Sequence, residues 1–211
     1  MKDVEIARRR NKSEATKKKI LEAARELFTI NGYNGVSVDD IVIKAKVSKG
    51  SFYVHFDSKN SIIAFFVSEY IKAVDPDYQR HLDSLPKDMK SYDVMLSLIE
   101  KIVDTLENVI GLQGMKTVYS LQLSDEVDME IVKGYGRELY RIFASVLQRG
   151  VDRGEFYLEL PIEETTIHFV MSIRGLCYEW CIRPEFDFKN QALKHFSILM
   201  SGIQSKSREK Q

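Results

Sequence analysis

A chain of 211 residues with 31 Lys and Arg against 31 Asp and Glu, 44% hydrophobic residues and four prolines is long enough for one or two buried cores and too apolar for a disordered polyelectrolyte. No run of about 18 apolar residues occurs, so no membrane span is expected, and no charged segment followed by an apolar one opens the sequence, so a cytoplasmic, reduced setting is expected. The neutral total hides an asymmetry: residues 1–60 hold 13 Lys or Arg against 8 Asp or Glu, and the remainder holds 18 against 23, a basic head on an acidic body that suits a polyanion at the head.

The densest basic stretch, Arg8, Arg9, Arg10, Lys12, Lys17, Lys18 and Lys19, reads as a solvated tail or as a binding arm. From Ser13, a good N-cap, the apolar positions Ile20, Ala24, Leu27 and Phe28 keep helical spacing until Asn31 and the following "NGY" turn the chain. Ser37 then opens S-V-D-D, in which its hydroxyl accepts from the Asp40 amide and the Asp40 carboxylate reaches back. That box caps a short second helix with Val38, Ile41, Val42 and Ala45 inward. Ser48 caps a third helix, beginning Lys49, Gly50, Ser51. Phe52 and Phe56, four apart, are expected on one helical face, anchoring this helix to the first.

Two short helices separated by "KVS" make a helix-turn-helix, whose second helix enters a DNA major groove by its N-terminal residues. Lys49, Ser51, Tyr53 and His55 fall outside the aromatic anchor, and their chemistry suits base edges and phosphate oxygens. Gly50 lets backbone and duplex approach. The plainer alternative is that Tyr53 and His55 are surface residues of a helical bundle.

The ordered strings "TKKKILEAARELFTINGY", "VSVDDI" and "KVSKGSFYVHFDSK", from Thr16 to Lys59, resemble the TetR family of bacterial transcription regulators. The resemblance implies that Ser37 and the first amides of helix two hold a phosphate, that Lys49, Gly50 and Ser51 face the bases, and that Val38 and Ser48 belong to the same DNA-binding set. It also implies that Tyr53, His55 and Lys59 contact the sugar-phosphate backbone, and that the basic arm can lie along a minor groove. Where the family usually has glycine, between helices two and three, this chain has Lys46, so a strained left-handed lysine is expected there.

Asp57 or Ser58 begins a long fourth helix carrying Ile62, Ile63, Phe66, Val67, Tyr70, Ile71 and Val74, expected to bend or stop near Pro76. After the loop "LPKDMKS", Ser91 caps a fifth helix to Ile110, with Gly111 and Gly114 punctuating its end. A sixth runs from about Met115 to Leu123, and a seventh from about Asp128 to Arg153 with Ile131, Tyr135, Leu139 and Ile142 inward and Gly154 closing it. Pro161 begins an eighth, to about Cys181, and Phe188 to about Ser205 forms a ninth before a polar tail. The whole is all-α with about nine helices, divided into residues 1–58 for DNA and 59–211 for ligand binding and dimerisation.

The last two long helices are apolar around more of their circumference than one packing face needs, and the resemblance implies that they form a four-helix interface in a homodimer on a palindromic operator. It further implies a small-molecule effector among helices four to eight. Met95, Leu98, Ile102, Met115, Phe143 and Trp180, with Tyr119, Tyr140 and His168 as polar handles, are the candidate lining, suited to a small apolar or aromatic ligand that releases a repressor from DNA. Each of these residues also reads as plain core.

Cys177 and Cys181 stand four apart on one helix, but no His or acidic cluster completes a metal site, so structural thiols are favoured over a redox pair. Neither a phosphate-binding glycine loop nor a nucleophile motif is present, so no cofactor and no enzymatic activity are expected. The rival to an operator-binding regulator is a helical dimer that serves as a ligand- or partner-binding module without operator binding.

Overall fold

The computed structural model describes residues 2–124 and 130–204. Among the described residues the chain is all-α, with ten helices and no strand beyond a lone bridge between Phe156 and Gln204. The backbone divides into two compact units, the division falling between Val67 and Ser68.

The first unit opens with α1 (Lys2–Asn31), a helix of 30 residues. It passes straight through Ser13, which therefore caps nothing. The stretch before Ser13 holds three Arg and two Lys, lacks Gly and Pro, and is helped by an Arg9–Glu5 ion pair at 2.9 Å, so helix propensity extends the element past the cap signal. The break after Asn31 falls where the sequence puts it, with Gly32 at φ 68°. Next come α2 (Val38–Ala45), α3 (Lys49–Tyr53) and the start of α4 (Lys59–Ser84). The core joins Ile20 and Ala24 of α1, Ile41, Val42 and Ala45 of α2, Phe52, Phe56 and Ile62. Phe56 lies beyond the end of α3 rather than on it, yet its amide still bonds the Phe52 carbonyl at 3.0 Å, which keeps both rings on the same side. At the head of α4, Ser58 Oγ accepts from the Ser61 amide at 3.2 Å, and the Ser58 amide donates to Ser61 Oγ at 3.3 Å.

The second unit holds the rest of α4 and the later helices. Pro76 does not end α4, which continues to Ser84. Val74 and Tyr78, on either side of the proline, are both buried, and that burial offsets the missing helical hydrogen bond. α5 (Ser91–Thr105) begins at Ser91, but its end is capped from afar: Glu155 Oε2 accepts from the Ser91 amide at 2.6 Å, and Ser91 Oγ makes no cap. A π-helical turn, Leu106–Ile110, follows, and Gly111 at φ 71° leads directly into α6 (Gly111–Ser124). Gly111 thus redirects a nearly continuous helical path and Gly114 lies inside α6, so neither opens a loop.

The expected seventh helix is two. α7 (Glu130–Lys133) stops at Gly134, Tyr135 and Gly136, and α8 (Glu138–Asp152) starts afresh, because two glycines within three residues remove the propensity to continue. Tyr135 is accordingly exposed. The expected start at Asp128 lies outside the described residues, as do the side chain of Ile131 and the tail 205–211. α8 closes on Gly154 at φ 67°. The Gly154 amide bonds the Val151 carbonyl at 2.9 Å and the Glu155 amide bonds the Gly150 carbonyl at 2.8 Å, a Schellman closure. α9 (Ile162–Ile182) and α10 (Phe188–Ile203) complete the unit, with Asp187 Oδ1 capping α10 at the Asn190 amide, 3.0 Å.

Candidate nucleic-acid interface

Eight- and five-residue helices are too short to hold by propensity alone, and in the first unit their ends are fastened one by one. At α2, Ser37 Oγ accepts from the Asp40 amide at 3.1 Å and donates to Asp40 Oδ2 at 2.6 Å, while the Ser37 amide bonds that same carboxylate oxygen at 2.8 Å. The Ser37 hydroxyl holds the Asp40 carboxyl below the usual range, aided by the Ser37 amide. With its hydroxyl proton committed to Asp40, Ser37 offers no free donor. The donors left at this end are the first-turn amides of Val38 and Asp39, which have no intrahelical acceptor.

The turn that follows is left-handed at Lys46, φ 55° and ψ 47°, the one non-glycine residue at positive φ among the described residues. It delivers the chain to Ser48, whose Oγ accepts from the Ser51 amide at 3.1 Å and lies 2.8 Å from Ser51 Oγ. Lys49 and Gly50 are exposed, Ser51 is half-buried, Tyr53 is exposed with its ring edge-on to Phe52 at 5.3 Å, and His55 is half-buried in the turn after α3. Gly50 is not required by the backbone. A Cβ there would meet nothing closer than Ser48 Oγ at 3.9 Å, so the residue leaves a bare patch at the surface.

Two contacts were not legible in the sequence. Asp39, on the first turn of α2, holds Lys49 Nζ at 2.8 Å and raises the pKa of the ammonium, so the lysine expected to read bases is pre-positioned by a carboxylate across the turn. Lys59 points inward. Its Nζ donates to the Tyr33 carbonyl at 2.9 Å and the Val36 carbonyl at 2.8 Å, and lies 4.1 Å from the centre of the Tyr33 ring; burial lowers its pKa. An ammonium so engaged closes the turn that presents Ser37 rather than reaching for a phosphate.

The basic segment ahead of the core is helical and exposed from residue 5 to 15. A helix about 10–12 Å across with its side chains does not enter a minor groove about 6 Å wide, so the groove-lying arm is replaced by a basic rod.

In the second unit, Met95, Leu98, Ile102, Met115, Tyr140, Phe143 and Trp180 all belong to one buried cluster, and Tyr119 packs against it. The Tyr119 hydroxyl donates to the Arg174 carbonyl at 2.9 Å. His168 does not join them: it is exposed, because the buried face of α9 runs through Phe169, Val170, Ile173, Cys177 and Trp180. Both cysteines are free and buried. Burial pushes the Cys177 thiol up to about 12 and raises Cys181 as well, so neither is the thiolate that a redox switch needs near neutral pH.

Residues 20–64, which contain α2, α3 and their caps, match the sequence model of bacterial regulatory proteins of the tetR family. The chain is 28% identical over 158 residues to the HTH-type transcriptional repressor DhaR of Mycobacterium sp. (strain GP1), covering 74% of this chain and 77% of that one. It is 22% identical over 187 residues to the HTH-type transcriptional repressor KstR2 of Mycolicibacterium smegmatis, covering 87% and 88%. Its fold is similar to that of the transcriptional regulator FadR from Bacillus subtilis, solved in complex with stearoyl-CoA, with a TM-score of 0.65 at 22% identity over 89% of this chain and 99% of that one.

Proposed function

We propose that the chain, which matches transcriptional regulators of the tetR family, is a dimeric repressor released from a palindromic operator by a small apolar or aromatic molecule. The observation that carries the DNA-binding part is the pairing of two fastened helix starts: α2 with the first-turn amides of Val38 and Asp39, and α3 with Lys49, bare Gly50 and Ser51. The amides and Lys49 are donors for phosphate and base edges, and Gly50 permits the approach. Tyr53 and His55 supply backbone contacts, while Lys59 supports the site from beneath.

Residues 1–58 carry the DNA task in this reading and 59–211 the ligand and dimer tasks. Support for a ligand comes from the FadR structure, which holds stearoyl-CoA in a similar fold, and from the buried cluster around Leu98, Tyr140 and Phe143. Support for a homodimer comes from apolar side chains left exposed on the last two helices, Met171, Tyr178 and Ile182 of α9 and Ile198 of α10, a patch of the kind that associates in water. The protein acts in the cytoplasm, on DNA, without catalysis.

The test is a titration of the purified protein against the DNA upstream of its own gene, with an unrelated duplex of equal length as control. Preferential binding at two subunits per site is the expected result. Equal weak binding to both duplexes, with a flat dependence on salt, would favour the rival helical module without operator binding, since phosphate contacts make log K fall by about 0.9 per contact with log salt.

A further inference from the structure

Of the two carboxylates in the first turn of α2, only one serves the cap. Asp40 closes it with Ser37, whereas Asp39 reaches across to the first residue of α3 and holds Lys49 Nζ at 2.8 Å. Both partners stay open to solvent, the Lys49 side chain 55% and the Asp39 side chain 62% exposed, and an ion pair so exposed adds little to stability. Their bond takes one of the ammonium's three protons and one of the carboxylate's roughly four lone-pair sites. The pair therefore offers a donor and an acceptor side by side, where the two short helices begin.

A carboxylate only accepts, and the phosphates of a duplex are acceptors too, so Asp39 finds no partner on the backbone. In the major groove the donors are the amino groups at cytosine N4 and adenine N6. Each is already bonded within its base pair to guanine O6 or thymine O4, at about 2.9 Å. Every such donor thus has an acceptor beside it, at a spacing that the 2.8 Å between Lys49 Nζ and Asp39 Oδ1 matches. What lies next to that acceptor separates the two base pairs. Guanine N7 adjoins O6 and lets an ammonium bridge both, whereas thymine places its C5 methyl group beside O4.

Resting on the reading of α2 and α3 as the helices that meet DNA, we propose that Asp39 and Lys49 read one G·C base pair in each half-site as a unit. Lys49 donates to guanine O6 and N7, and Asp39 accepts the outward hydrogen of cytosine N4. Gly50, next along α3, leaves room for the edge of that base pair. Asp39 is then a specificity residue in its own right, and the pair enters the groove with its mutual bond kept. A carboxylate among the phosphates also weakens the grip on any site where cytosine N4 does not meet it, so the same residue discriminates by attraction and by repulsion.

The experiment is a selection from duplexes with a randomised core, run with the full-length wild type, Asp39→Ala, Lys49→Ala and the double variant. Titrations follow on the selected sequence and on copies with each G·C pair changed in turn to the other three pairs. The expected result is one G·C pair per half-site that wild type prefers at least tenfold, T·A being the best of the substitutes. Each single variant should cut that preference below threefold at the same base pair, and the double variant should lose no more than either single one. Preference is a ratio of affinities, so a variant that is partly unfolded still reports it. A motif that Asp39→Ala leaves intact, loss at different base pairs in the two single variants, or additive losses in the double variant each overturns the proposal while the operator-binding reading stands. A wild type that enriches no sequence removes that reading and the proposal with it.

Discussion

The first unit is held by ten buried residues, the second by twenty-six, and the two solve the problem of order differently. With so little apolar surface to bury, the head relies on reciprocal caps at Ser37 and Ser48, a left-handed turn at Lys46 and a lysine clamp at Lys59. The body relies on area, with rings in contact such as Trp180 on Phe188, stacked at 5.2 Å, and Phe169 on Phe196 at 5.7 Å. A polar surface has to remain available where DNA is gripped, so the head spends its side chains outward and fastens its backbone locally. The body has no such constraint on its interior.

That contrast is open to direct attack. The harshest test is Phe52→Ala, which removes a wholly buried ring from the smaller core and should cost about 3–5 kcal/mol. DNA binding should vanish while most of the helical circular dichroism survives to the melting temperature of the second unit. A single transition that carries both signals away would show that the two cores are not separately held.

Lys59→Met should remove the ammonium's bonds to the Tyr33 and Val36 carbonyls and lower stability by about 1–3 kcal/mol, with the salt slope of DNA binding unchanged. A slope reduced by about 0.9 at constant stability would restore Lys59 to the phosphates. Its natural companion is Lys49→Ala, which should relax sequence preference instead.

Gly50→Ala separates function from fold. Nothing obstructs a methyl group there, and alanine favours the helix by about 1 kcal/mol. The variant should therefore melt no lower than wild type, yet bind its site at least tenfold more weakly, about 1.4 kcal/mol. Lys46→Gly should raise the melting temperature through relief of about 1 kcal/mol of left-handed strain; a fall would mean that the lysine makes a contact outweighing the strain.

The smallest effect is electrostatic. The folded state holds Asp40 below its ordinary pKa, so its contribution is fully present above the unfolded value near 3.8 and is lost as pH falls through the folded value. Asp40→Asn, followed by melting between pH 3 and 5, should flatten the acid limb for the head alone.

Legibility in the sequence follows the same divide. The Ser37 and Ser48 caps and the break after Asn31 each depend on residues within four positions of one another and are readable locally, whereas the strained Lys46 is legible only through the family resemblance, in which glycine usually stands there. The direction of Lys59 depends on carbonyls 23 and 26 positions away, and the Lys49–Asp39 pair crosses a turn, so neither had a local signature. In the body, the buried set of α5 followed from spacing, but the π-helical turn at Leu106–Ile110 did not. The split between α7 and α8 had a signal in Gly134 and Gly136 that the apolar rhythm around Leu139 and Ile142 overrode. His168 suits a polar handle by residue type alone; the face defined by Phe169, Ile173, Cys177 and Trp180 excludes it. At the other end, Ser13 carries the signature of a helix start, although the residues before it favour helix equally well.

The exposed early turns of α1, bearing Arg8, Arg9, Arg10 and Lys12 on a rod rather than a loose tail, bear on how fast the protein finds its site. Fixed charges carried ahead of the reading head extend its capture distance, and steered encounters of this kind accelerate arrival far more than they delay departure. Adding salt should thus slow association steeply and leave the lifetime of the bound complex nearly untouched. Trimming the rod should reproduce the high-salt arrival rate at low salt, making this segment a device for search rather than for recognition.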